Sequence, residues 1–186
     1  MTAYMLDTNV FNRLLDGQVS IDAFCGLRLV ATHVQLDELR ATKNSARAAQ
    51  LLRIFEEADP RMDPTTSAFW DVSRWDQSNW TPEDGVVKQM LARLSQLDAV
   101  GGKKHRDPKN PIRDVLIAHT AININATLIS VDPQLRQLVS EFEGRAISPS
   151  DLRVSLWRTL VCSLWRTLGW VGREFPGRNK TGRTGV

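Results

Sequence analysis

Four acidic residues stand where carboxylates could do chemistry together. Asp7 comes directly after one apolar run, and Asp132 comes two residues after another. Glu38 and Asp114 fall in the opening turns of segments whose apolar residues have helical spacing. Four carboxylates that met without a counter-ion would repel one another strongly, so their convergence would predict a bound cation.

Oxygen ligands without a thiolate or histidine cluster are typical of Mg²⁺ or Mn²⁺ sites. The two cysteines, Cys25 and Cys162, stand far apart without a CxxC pair. We therefore expect free thiols in place of a zinc site or a disulfide framework. A Mg²⁺ or Mn²⁺ pocket can activate water and neutralise the charge of a phosphodiester during in-line attack.

Each acid also has a purely structural explanation. Asp132 precedes Pro133, as an N-cap does when proline opens the helix. Asp114 and Glu38 could complement helix dipoles, and Asp7 could cap the helix that follows it. From the residues taken singly, both explanations stay open.

Short apolar runs alternate with helical segments along residues 1–150, and 42% of the chain is hydrophobic. This pattern predicts a parallel sheet covered on both faces, with functional groups at the carboxyl ends of its strands. The predicted strands are Ala3–Leu6, Leu27–His33, Ala126–Ser130 and Arg145–Ser148. Five helices are predicted between the second and third strands, with Pro60–Pro64 as a connection. They are Gln35–Arg40, Ser45–Ala58, Thr65–Asp76, Thr81–Leu97 and Ile112–Ile124.

Four short motifs carry the acids in a fixed order. They are Met5–Phe11 (MLDTNVF), Asp37–Leu39 (DEL), Asp114–Ala121 (DVLIAHTA) and Leu128–Asp132 (LISVD). As a set they resemble the motifs of PIN-domain ribonucleases, especially the VapC-type toxins of type II toxin–antitoxin systems. The resemblance covers about residues 3–150. One departure is Arg113, which stands before Asp114 where many relatives carry asparagine.

The resemblance implies a three-layer α/β/α domain with a parallel sheet of four or five strands. It implies a metal-dependent endoribonuclease that holds one or two Mg²⁺ ions, or Mn²⁺ as the alternative, and hydrolyses RNA. The implied catalytic and metal-binding quartet is Asp7, Glu38, Asp114 and Asp132, with Asp37 as an alternative to Glu38. The implied polar neighbours that orient these carboxylates are Thr8, Asn9 and Ser130.

The resemblance also implies partners: an RNA substrate, an antitoxin protein and a second copy of the chain in a homodimer. A basic loop lies before the third motif. We expect its cationic residues either to contact RNA phosphates or to be simply solvated. They are Lys103, Lys104, Arg106, Lys109 and Arg113.

The positive charge of the chain, +3 in total, is concentrated after residue 150. Residues 151–186 hold seven of the 24 Lys and Arg but two of the 21 Asp and Glu. SLWRTL occurs at 155–160 and again at 163–168, which predicts a basic amphipathic C-terminal helix. That helix would pack on the domain or on a twin subunit, or else touch a membrane surface, RNA or a partner protein. Gly- and Arg-rich residues 169–186 predict a mobile tail.

Further expectations concern location and function class. No apolar stretch is long enough to span a membrane and no secretory signal is visible, so we expect a cytoplasmic protein. A phosphatase of the haloacid-dehalogenase type would need a second aspartate where Asn9 stands. The serious alternative to a nuclease is a catalytically silent PIN scaffold that binds RNA or protein, and the complete quartet favours the nuclease.

Overall fold

The computed structural model describes residues 2–68, 72–73, 77–78, 85–103 and 107–152. Within these ranges five strands alternate with six helices. They are β1 (Ala3–Leu6), α1 (Thr8–Leu15), β2 (Arg28–Ala31), α2 (His33–Arg40), α3 (Ser45–Ala58), β3 (Arg61–Met62), α4 (Gly85–Val100), α5 (Asn110–Asn123), β4 (Thr127–Ile129), α6 (Pro133–Glu141) and β5 (Arg145–Ile147).

All five strands pair in parallel, in the order β3-β2-β1-β4-β5. In the central strand, Met5 pairs with Val30 of β2 on one side and with Leu128 of β4 on the other. Along the chain, β2 and β3 are added on one side of β1, and β4 and β5 are then added on the other side of β1. This reversal makes the carboxyl ends of β1 and β4 the topological switch point, where open α/β sheets bind their ligands.

Helices cover both faces of the sheet, because successive residues of its short strands point to opposite sides. On one face Met5 and Leu128 pack with buried residues of α4, α5 and α6. On the other face Leu6 and Ile129 pack with buried residues of α1, α2 and α3. The predicted α/β class, with three layers and a parallel sheet of four or five strands, is confirmed.

Two predictions between the second and third predicted strands are wrong. The edge strand β3 lies inside the predicted connection Pro60–Pro64, and both of its residues are exposed. A strand of two exposed residues has no apolar pattern to reveal it. Thr65 forms an isolated parallel bridge with Ser78, so the predicted helix Thr65–Asp76 does not begin there.

The cysteine expectation is also wrong, because Cys25 is disulfide-bonded. The predicted C-terminal helix and tail lie outside the described residues, as does the predicted helix start at Thr81. In the part of the chain that the structure describes, no helix combines the length and apolarity needed to cross a membrane.

Candidate active site

The carboxylate of Asp7 lies at the switch point, and only 3% of the residue is exposed. Its N–H donates to the Ile129 carbonyl of β4 at 2.9 Å, which fixes the end of β1 against β4. Its Oδ2 accepts hydrogen bonds from Ser130 Oγ at 2.6 Å and from Asn9 Nδ2 at 2.5 Å. Both donors are neutral, so they orient the carboxylate without neutralising its charge.

Asp132 is joined to Asp7 through the hydroxyl of Ser130. Ser130 Oγ accepts from the Asp132 N–H at 3.0 Å while donating to Asp7 Oδ2. Asp132 Oδ1 caps α6 by accepting from the N–H groups of Gln134 at 2.9 Å and Leu135 at 3.2 Å. The role of Asp132 as the N-cap of α6 therefore uses Oδ1, and Oδ2 is the oxygen that faces the pocket.

Glu38 reaches the same pocket from α2. In the first turn of that helix, Gln35 Nε2 donates to the Leu6 carbonyl at 3.3 Å, which ties the start of α2 to the end of β1. Glu38 Oε2 then accepts a hydrogen bond of 2.6 Å from Thr8 Oγ1. Its Oε1 lies 4.0 Å from Arg113 Nη1.

The alternative residue in the second motif, Asp37, has a different position. It lies 3.9 Å from Arg40 in an i,i+3 pair along α2. The charge of Glu38, in contrast, helps to raise the pKa of Asp7. The structure therefore brings Glu38 close to Asp7.

Asp114 completes the group from α5. Burial raises the pKa of its carboxyl well above the usual range, and the charge of Asp7 raises it further. The charges of Glu38 and Asp132 act in the same direction, while Lys103 opposes them. The other three predicted acids therefore lie close enough to Asp114 for their charges to act on it, although the four come from separate elements.

Burial sets the electrostatic state of two other members of the group. It raises the pKa of Asp7 to about 6 against the lowering effect of the Ser130 hydrogen bond, and the charges of Glu38 and Asp132 add to the rise. Burial also raises the pKa of Glu38, although the Thr8 hydrogen bond and the Arg113 charge oppose it. A pocket whose carboxylates resist ionisation favours any cation that enters it.

Lys103 and Asp98 also lie in this pocket, and the sequence motifs predict this position for neither residue. The Lys103 ammonium forms an ion pair with Asp132, and it lies 3.8 Å from Asp114 Oδ2 and 3.8 Å from Asp98 Oδ1. Burial lowers the pKa of Lys103, but the hydrogen bond to Asp132 and the three acidic charges outweigh it, so the pKa is raised.

A signal for Asp98 was present in the sequence. It falls at helical spacing on the buried stripe of α4, beside Leu94 and Leu97, and it is only 4% exposed. Acids are almost never fully buried unless they are paired. An aspartate on an apolar stripe therefore predicts a cationic partner, which the structure places at Lys103.

A tight backbone turn after α4 delivers Lys103 to the acids. The Gly102 N–H donates to the Ala99 carbonyl at 3.3 Å, and the Lys103 N–H donates to the Asp98 carbonyl at 2.9 Å. Gly102 itself has a φ of +66°. These two bonds with a left-handed residue between them form a Schellman motif, in which glycine is the preferred residue.

We expect Gly102→Ala to destabilise the fold by about 1 kcal/mol, because a side chain disfavours the left-handed conformation. A Cβ at this position would meet no atom within 4 Å, so the cost is backbone strain alone. Urea unfolding of the variant measures it. The matched control is Gly85→Ala, which also meets no atom and has no positive φ. That change should be neutral or slightly stabilising, and equal losses from both changes would contradict the strain explanation.

Two of the other residues predicted to contact RNA, Lys109 and Arg113, form hydrogen bonds to Asp107. Arg113 Nη1 donates to Asp107 Oδ2 at 2.9 Å and to Asn110 Oδ1 at 3.0 Å, beside Glu38. The Lys109 N–H donates to Asp107 Oδ1 at 2.9 Å. Lys104 and Arg106 lie outside the described residues. A phosphate-binding role for this loop stays a prediction.

The chemistry of the donor set fits a hard divalent cation. Within the described ranges, no three Asp, Glu, His or Cys side chains are already spaced to enclose an ion. The charges of Asp7, Glu38 and Asp132 all act on Asp114, however, and the oxygens of Thr8, Asn9 and Ser130 lie beside these carboxylates. The residues that would hold the ion are Asp7, Glu38, Asp114 and Asp132.

Comparison with known proteins gave structural matches alone. No family model matches the chain, and no curated protein sequence does. The chain is similar to solved VapBC structures. It shares 16% identity with VapBC-1 from nontypeable Haemophilus influenzae, over 81% of this chain and 100% of that one, with a TM-score of 0.43.

Two further structures show the same level of similarity. VapBC2 from Rickettsia felis, bound to a DNA fragment from its promoter, matches at 15% identity over 79% of this chain and 98% of that one, with a TM-score of 0.41. VapBC-5 from Mycobacterium tuberculosis matches at 25% identity over 80% and 98%, with a TM-score of 0.38.

Proposed function

We propose that this protein is a metal-dependent endoribonuclease that hydrolyses RNA phosphodiester bonds in the acidic pocket. The convergence of Asp7, Glu38, Asp114 and Asp132 from four separate elements carries the proposal. Burying four carboxylates together destabilises a fold, and a bound cation offsets that cost. Mg²⁺ is the proposed cofactor and Mn²⁺ the alternative.

The protein's own side chains prepare the pocket for this reaction. When bound, the divalent ion supplies activation of water and neutralisation of the phosphate charge. Ser130 and Asn9 hold Asp7 in one orientation, and Thr8 does the same for Glu38. Arg113, beside Glu38, provides a guanidinium that can bind a phosphate oxygen at the edge of the pocket.

We also propose that the chain is the toxin of a toxin–antitoxin pair and acts in the cytoplasm. Support comes from the order of its four acidic motifs, which resembles that of VapC-type toxins. The same resemblance supports an antitoxin partner and a homodimer. An antitoxin would silence the enzyme by covering the acidic pocket with a basic group, which the charge of the pocket favours.

A cleavage assay tests the proposed reaction. Purified protein should cut single-stranded RNA internally when Mg²⁺ or Mn²⁺ is present, and EDTA should stop the cutting because the carboxylates alone cannot activate water at neutral pH. The assay follows labelled RNA on denaturing gels. Persistence of cleavage in EDTA would contradict a metal-dependent mechanism.

Growth of cells that express the chain tests the toxin role. Wild-type protein without an antitoxin should arrest growth, whereas Asp114→Asn should not, because it removes one carboxylate of the quartet. Soluble protein levels and circular dichroism of the purified variants provide the control. Normal growth with folded wild-type protein would refute the toxin role while leaving the cleavage assay to decide the reaction.

One observation favours the second candidate, a silent scaffold that binds RNA or protein. Lys103 already pairs with Asp132 and approaches Asp114, so part of the pocket charge is balanced without a metal ion. The scaffold predicts RNA binding without cleavage. A gel-shift assay beside the cleavage assay separates the two candidates.

A further inference from the structure

The ammonium group of Lys103 lies among carboxylates that the proposed reaction assigns to a metal ion. It pairs with Asp132 Oδ2 and lies 3.8 Å from Asp114 Oδ2. The Lys103 side chain is 32% exposed, so the lysine reaches into the pocket from its edge. A positive charge at this place serves the electrostatic role of a bound cation.

Three features of the fold hold the lysine there. The Schellman motif after α4 fixes its backbone, through the 2.9 Å bond from its N–H to the Asp98 carbonyl. The buried carboxylate of Asp98 attracts its ammonium group from the side of α4. The third feature is Asp132, whose Oδ1 is committed to the cap of α6, so that Oδ2 is the oxygen presented to a cation.

The two halves of the pocket, one formed by Asp7 and the other by Asp114 and Asp132, differ in the hydrogen-bond donors that face their carboxylates. Asp7 accepts its hydrogen bonds from the neutral side chains of Ser130 and Asn9. These donors can remain in place when a cation approaches, because they carry no charge. The Asp114 and Asp132 half instead faces Lys103, whose charge would repel an approaching dication.

We propose that Lys103 is the resident counter-ion of Asp114 and Asp132, and that a divalent cation occupies this half only by displacing its ammonium group. This inference rests on the proposed function, because it concerns the metal affinity of that site. Lys103 then acts as a positioning residue that holds the free pocket together and weakens its metal binding. The ammonium group of Lys103 and the divalent cation then compete for the Oδ2 atoms of Asp114 and Asp132.

Manganese binding to EDTA-stripped protein tests the competition directly. We expect Lys103→Met to lower the Kd for Mn²⁺ by about tenfold or more, because it removes a positive charge that pairs with Asp132 Oδ2 and lies 3.8 Å from Asp114 Oδ2. Lys103→Gln, which is also neutral but keeps a hydrogen-bond donor, should lower it in the same direction. Lys103→Arg keeps the charge and should stay within about threefold of wild type. Free Mn²⁺ is counted by electron paramagnetic resonance, and calorimetry gives an independent Kd.

The matched control is Lys43→Met, an identical change of charge at an exposed lysine between α2 and α3. It should leave the Kd unchanged, which excludes a general effect of net charge. Circular dichroism confirms that each variant is folded before titration.

Three results would overturn the inference. An equal Kd for wild type and both neutral variants would show that Lys103 does not compete with the ion. A higher Kd in those variants would show that the lysine assists metal binding by positioning the acids. An absence of Mn²⁺ binding in every variant would refute the metal-dependent function together with this inference, whereas the first two results leave that function standing.

Discussion

Asp7→Asn is expected to reduce metal-dependent RNA cleavage by roughly a thousandfold, equivalent to about 4 kcal/mol of transition-state stabilisation. Asp7 is the most central acid of the pocket, since it is buried at the switch point and its charge reaches Asp114. The amide keeps the size of the side chain but removes the charge that binds the cation. Initial rates on a labelled RNA, at saturating Mn²⁺, measure the loss.

The structure explains why this variant should remain folded. Asp7 Oδ2 accepts both side-chain hydrogen bonds, from Ser130 and Asn9. The amide oxygen of an asparagine can accept the same two bonds, so the local geometry is kept. Lost cleavage in a folded variant therefore reports on the charge of the pocket.

The matched control for this experiment is Asp37→Asn, in the motif that also contains Glu38. Asp37 lies beside Arg40 on α2, and its replacement should leave cleavage within about twofold of wild type. Wild-type cleavage rates in Asp7→Asn would place the chemistry elsewhere in the molecule. A large loss in Asp37→Asn would show that the second motif contributes its other acid.

Four of the five strands, and the place of Asp7 at a strand end, could be predicted because each depends on a local pattern. The run Ala3–Leu6 is apolar throughout and ends at Asp7, so the sequence places that acid at a strand end without knowledge of the other strands. Parallel strands present their carboxyl ends at one edge, which brings Asp7 and Asp132 together once β1 and β4 are neighbours. Catalytic and metal-binding roles for the quartet stay predictions.

The position of Lys103 could not be predicted, because it depends on a backbone turn and on distant partners. The sequence Gly101-Gly102-Lys103 is typical of a flexible polar loop, which predicts a lysine that contacts phosphate or is solvated. Its placement depends on the left-handed conformation of Gly102 and on the buried charge of Asp98. The contact with Asp132 spans 29 positions of sequence, which no local pattern encodes.

The contribution of the buried pocket carboxyls to the stability of the metal-free protein should fall as the pH rises from about 4 to 7. Burial raises the pKa of Asp7 from 3.8 to about 6, so the folded state holds this proton more tightly than the unfolded state does. The stability that the protonated carboxyl of Asp7 contributes is complete below the pKa of the unfolded state. It is lost as the pH rises through the pKa of the folded state. The pKa difference corresponds to about 3 kcal/mol from this one group. Raised pKa values of Asp114 and Glu38 act in the same direction.

A comparison of wild type with Asp7→Asn isolates this effect from all other titrating groups. In urea unfolding with EDTA, the two proteins should have similar stability near pH 4, and the variant should be more stable by about 3 kcal/mol near pH 7. Saturating Mn²⁺ should reverse the order at pH 7, because it stabilises the protein that binds it. A stability difference that stays constant between pH 4 and 7 in EDTA would show that Asp7 ionises normally in the folded protein. The pocket would then lack the electrostatic cost that a divalent cation is proposed to offset.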